Sequence, residues 1–166
     1  MNYPAFSAAD SKTAQLPHQL FMFNMVGNHV LLMVITVSQL YYGYLFGAIV
    51  PAISLLIIAY TLLAARKQLN SPSILVRSHW QVAVKRTKLL LTIYAIAAVG
   101  GLLDWYLYTS LHMMKELVIA AFVGLAFMPV MLTVLYLAVM ESHLLNQAKH
   151  GIPAGGEQAV PVAAST

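Results

Sequence analysis

The sequence contains no cysteine. That excludes disulfides, thiolate metal sites and a cysteine nucleophile together, and leaves the redox compartment unread. Charge is nearly as scarce: charged residues are 8% of the chain against 60% hydrophobic, and mean hydropathy is +0.77. A soluble globular chain carries about a quarter charged residues, so this one lacks the means to cover a water-facing surface. Also missing are an HExxH pair, a phosphate-cradling glycine loop and a serine elbow. Without a cluster of acids and bases, catalysis is not expected, and the sequence assigns no catalytic, cofactor-binding or metal-binding residues.

Long apolar runs take the place of these features. From Leu20 to Ala65 no Asp, Glu, Lys or Arg occurs, a stretch about twice what one helix needs to cross a bilayer. It must fold back once. The Tyr41-Tyr42-Gly43-Tyr44 stretch suits the turn, because glycine relieves the backbone and tyrosines favour the headgroup level. This predicts spans near 20–42 and 45–65. A basic segment, 66–88, precedes a third span near 89–111, and the short turn at 112–116 leads to a fourth near 117–140. The first run is too long for a signal-peptide core and is expected to remain as an anchor. Residues 1–18 read as an N-terminal tail and 142–166, rich in Gly, Pro, Ala and Ser, as a disordered cytoplasmic tail. The predicted fold is all-α, a four-helix transmembrane bundle over residues 19–141.

Lys12, Arg66, Lys67, Arg77, Lys85, Arg86, Lys88 and Lys149 fall on one side of these spans and Lys115 alone on the other. By the positive-inside rule the first side is cytoplasmic, which puts both termini there in a multi-pass protein of the cell inner membrane. The net charge of +4 is then a topology signal and does not point to nucleic acid. The outer loops are too short for a ligand-binding domain, and no internal repeat suggests an inverted-repeat transporter.

Ser71-Pro72-Ser73 marks a helix start. Beyond it, Arg77, Gln81, Lys85 and Lys88 recur at helical spacing on one face, with Leu75, Val76, Trp80, Val82 and Ala83 turned away. The pattern predicts a short basic amphipathic interfacial helix before the third span, in the inner headgroup layer. Its stripe of Arg77, Lys85 and Lys88 would contact membrane lipids or a cytoplasmic partner, or simply orient the chain.

Few polar residues lie within the spans. Asn24, Asn28 and Gln39 fall within about 60° of one another on a helical projection, bordered by Thr36 and His29, and form a stripe toward the bundle interior. In the third span Asp104 interrupts the apolar stretch Gly100–Tyr108, on the face of the small pair Ala97 and Gly101, with Tyr94 and Tyr108 above and below. A second small pair, Ala120 and Gly124, predicts that spans three and four pack together. A carboxylate at mid-membrane costs about 2.5 to 3.5 kcal/mol on insertion scales. Asp104 must therefore be protonated, wetted or paired, with Ser38, Gln39, Tyr44, Ser54 and Lys115 as candidate partners at similar depth. Pro129 should kink the fourth span and free the carbonyl of Leu125.

Haem needs axial ligands at matching depth on facing helices. Only His29 lies deep in a span, whereas His18, His79, His112, His143 and His150 fall near or outside the boundaries. His112 and Glu116, spaced i, i+4, are too few for a metal site. The function expected is that of a non-enzymatic accessory or assembly component of a membrane or envelope complex, bound to another membrane protein or to copies of itself. The alternative is a small oligomeric transporter or channel whose route is lined by Asp104 and the stripe of the first span.

Overall fold

In the computed structural model, residues 6–32, 34–35 and 48–156 are described. They are helical throughout, without a strand among them. The elements are α1 (Ala8–Met22), continued by a π-helix (Phe23–Leu32); α2 (Ile49–Gln68); α3 (Ile74–Thr109); and α4 (Lys115–Ala121), continued by a second π-helix (Phe122–Phe127) into α5 (Met128–Lys149). Three helices, α2, α3 and α5, are long and apolar enough to cross a membrane. The proposed turn at Tyr41 to Tyr44, together with Thr36, Ser38 and Gln39, lies outside the described residues.

The first helix begins well inside the predicted N-terminal tail. Ser7 caps it, its hydroxyl accepting the Asp10 amide at 3.1 Å, and Asp10 adds negative charge to the first turn. Pro17 sits within this helix and has no N–H for the carbonyl four residues back, that of Thr13. The indole N–H of Trp80, a fully buried residue of α3, donates to that carbonyl at 3.1 Å instead. One proline thus fixes where α1 docks on α3.

Helix α3 is 36 residues long, about 54 Å at 1.5 Å per residue, whereas the hydrocarbon core is about 30 Å thick. It starts after Ser73, where the Ser71-Pro72-Ser73 signal puts it, although Ser73 makes no side-chain cap bond. Its first part carries the basic residues and its last part, from Leu89, is almost wholly apolar. The basic segment is therefore continuous with the span and is not a separate helix. Arg77, Gln81, Lys85 and Lys88 are exposed, as the periodicity predicts. The opposite face packs on protein: Leu75 joins Ala14 of α1 and Ala148 of α5, and Val76 and Trp80 join Ala65 of α2.

The C-terminal side departs from the expected disordered tail. Helix α5 runs on to Lys149, with Glu141, Leu144 and Ala148 buried. A turn at Gly151, whose φ of +68° suits glycine, then leads residues 152–156 back over α3. There the Ala154 amide donates to the Ser78 hydroxyl at 3.1 Å. The start of α1, the start of α3 and the end of α5 thus form a packed head beside the apolar spans. At the far end, α3 stops at Thr109 and α4 starts at Lys115, so His112 and Glu116 do not share one helical face. Pro129 is the second residue of α5, two beyond the end of the second π-helix, which contains Leu125.

Candidate functional site: two buried polar layers

The first layer lies within the spans. The π-helix pairs residues five apart, so it brings His29 over Asn24, where α-helical winding would leave them about 140° apart. His29 Nδ1–H donates to the Asn24 carbonyl at 2.7 Å, and the Tyr94 hydroxyl of α3 donates to His29 Nε2. The Asn24 side-chain amide donates to Ser54 Oγ of α2 at 2.9 Å. Asn28 donates to Asn24 Oδ1 at 3.1 Å and to the Val50 carbonyl at 2.9 Å. Three elements are thereby tied together at one depth. All of Asn24, Asn28, His29 and Ser54 are buried. Their polar atoms are spent on one another or on backbone carbonyls, except Asn28 Oδ1, which is buried without a partner among the described residues.

The second layer lies in the head, and the residues that build it are ones the sequence places near or beyond the span ends. His18 of α1, His79 of α3 and Glu141 of α5 are each 0% exposed. Glu141 Oε2 is 2.5 Å from His18 Nδ1, and its Oε1 accepts from Arg86 at 2.8 Å. His18 Nε2 is 2.8 Å from His79 Nδ1, the two rings meeting edge to face at 78°. His79 Nε2–H donates to the Ile152 carbonyl of the returning C-terminal segment at 2.9 Å.

Hydrogen-bond direction is constrained at both ends of this series. A carbonyl accepts only, so His79 Nε2 must carry a proton. Arg86 donates to Glu141 Oε1, and at Oε2 the carboxylate accepts from His18 Nδ1–H. The contact between the rings needs one N–H and one lone pair. Three contacts in series therefore hold three protons, one more than two neutral imidazoles carry. Burial is the main reason that His79 does not hold the extra proton: it lowers this imidazole from 6.5 to about 4, the Ile152 carbonyl and Glu141 pulling the other way and His18 adding to the depression.

Between the two layers lies an apolar one made by Phe21, Met25, Ile58, Leu90, Val134 and Leu137. Asp104 joins neither layer. It is partly exposed, ten residues beyond Tyr94 and so about 15 Å further along α3, with exposed Leu103, Trp105 and Tyr106 around it. No hydrogen bond or ion pair to Asp104 is found among the described residues. Tyr108, expected to flank it on an inward face, is exposed, while Tyr94 turns inward to His29. Ala97 and Gly101 are half-buried. Ala120 and Gly124 are exposed, and among the described residues a Cβ added at Gly124 would meet nothing within 4 Å.

Asn24, Asn28 and His29 lie in one layer, His29 through the π winding and not through α-helical spacing, while Gln39 falls outside the described residues. The exposed Arg77, Lys85 and Lys88 are separate from both layers. Among the described residues no three His, Cys, Asp or Glu side chains are placed to hold a metal ion. Both nitrogens of His18 and of His79 are engaged, so the second layer is suited to holding and moving a proton. Comparisons with protein-family models, with curated proteins and with solved structures give no match.

Proposed function

We propose that the chain is a four-span, multi-pass protein of the cell inner membrane with both termini cytoplasmic, acting as a non-enzymatic accessory or assembly component of a membrane or envelope complex. The observation that carries this reading is the contrast between the two kinds of polar residue in the spans. The interior ones are hydrogen-bonded to one another and closed off from the head by an apolar layer, as ties between helices are. Among the described residues Asp104 has no such partner, and it is partly exposed on an apolar helix face. An intramembrane acid needs a partner or water, and a donor on another polypeptide supplies one. The exposed Arg77, Lys85 and Lys88 would sit at the anionic inner headgroups.

The test compares wild type with Asp104→Leu, each tagged and purified from native membranes in mild detergent. The reading expects a stoichiometric membrane partner, another protein or a second copy, that is lost from Asp104→Leu at unchanged yield. Equal recovery of partners by both forms, or a wild type that purifies as a lone monomer, removes it. Solute flux in proteoliposomes that Asp104→Asn abolishes would put the transporter reading in its place.

A further inference from the structure

The head layer has a property that a structural tie does not need. Its three contacts in series, Glu141 to His18, His18 to His79 and His79 to Ile152, are all satisfied at one proton count only. A further proton on His79 sets N–H against N–H across 2.8 Å. The groups around His79 leave it little compensation. From α1 it meets His18, from α5 Glu141, whose second oxygen is already taken by Arg86, and from the C-terminal segment only a carbonyl.

We propose that His18 and His79 form a one-proton site that latches residues 151–156 onto the head, and that entry of a second proton releases this segment. The reason lies in what covers His79. A buried imidazolium needs water, and the segment over it is the weakest of the surrounding elements. It is held to α3 by the Ile152 carbonyl, by the Ala154 amide on Ser78 and by the small buried surface of Pro153 and Ala154. Helices α1 and α5, by contrast, are anchored along their lengths through Phe21, Met25, Val134 and Leu137. Lifting the segment hydrates His79 without separating the helices. The depression of the His79 imidazole by burial sets the range: release occurs on acidification below the ordinary histidine range, toward pH 4.

Amide hydrogen exchange, measured on the whole chain in lipid nanodiscs between pH 7.5 and 4.5 and corrected for the intrinsic rate, tests this. Protection of the 151–155 amides, that of Ala154 above all, should fall by up to about tenfold per pH unit as the proton enters, as one-proton linkage requires. It should return when neutral pH is restored. Amides of α2 should keep their protection throughout. His79→Gln offers an N–H to Ile152 and an oxygen to His18 but does not titrate, and it should hold the segment closed across the whole range. Wild-type protection that is flat with pH overturns the proposal, as does loss of protection in α2 alongside the segment. An acid release retained in His79→Gln overturns it as well. If that variant does not fold, the wild-type titration with its α2 control still decides.

Discussion

His18 and Glu141 are 123 residues apart in the chain and 2.5 Å apart in the fold, both fully buried. The contact joins the first helix to the last, and with Arg86 on the second oxygen it closes a charge set across α1, α3 and α5. Removing the carboxylate's charge leaves the Arg86 guanidinium without its counter-charge in a buried site, and breaking a buried pair costs about 3 to 5 kcal/mol. Glu141→Gln should therefore lower the unfolding free energy in detergent by about 3 kcal/mol. A loss below about 1 kcal/mol, the range of an exposed pair, would show that the set is solvated.

The His79 imidazole makes stability depend on pH in a definite direction. Its value in the fold, about 4, is below the 6.5 of the unfolded chain, so between these two the unfolded chain binds the proton more readily. Its contribution to stability is complete above pH 6.5, declines as pH falls toward 4 and changes no further below that. Denaturant midpoints at pH 7.5, 6, 5 and 4 should fall in that window for wild type. In His79→Gln the fall should be smaller, and an identical profile in the two proteins would assign the effect to other groups.

Pro17 and Trp80 make a coupled pair through the Thr13 carbonyl. Trp80→Phe keeps much of the buried ring but leaves that carbonyl without a donor, a loss of about 1 to 3 kcal/mol. In Pro17→Ala the backbone supplies its own N–H at the same carbonyl, so there Trp80→Phe should cost less by about 1 kcal/mol. A double-mutant cycle reads this directly, and additive losses would mean that packing alone explains Trp80.

The apolar runs made the long helices α2, α3 and α5 legible, and helical spacing put Asn24 and Asn28 on one face. The head layer was not legible, because hydropathy marks where a span ends but says nothing of what the helix does beyond it. A signal was present in the register. Val134, Leu137, Glu141, Leu144 and Ala148 are the buried residues of α5, at alternating steps of three and four, and Ala14, His18, Phe21 and Met25 show the same pattern from α1 into its π-helix. An acid in one seam and a histidine in the other mark a buried polar layer. The π winding that carries His29 over Asn24 has no comparable signature, since it depends on how the neighbouring helices pack. The placement of Asp104 was also beyond the pattern, because small residues allow a close approach without saying which helix comes.

Asp104 and Asn24 should respond differently to replacement by leucine. Asn24→Leu removes the hydrogen bonds to Ser54 and from Asn28 and should destabilise the isolated protein by about 0.6 kcal/mol for each, the mean for bonds between membrane helices. Asp104 makes no bond within the described chain and is partly exposed among apolar side chains. Asp104→Leu should therefore leave the thermal midpoint of the detergent-solubilised protein unchanged or raise it. A carboxylate whose loss stabilises its own fold is retained for something outside that fold. A midpoint that drops in Asp104→Leu as far as it does in Asn24→Leu would make Asp104 an internal tie, and would take away the observation on which the accessory-component reading rests.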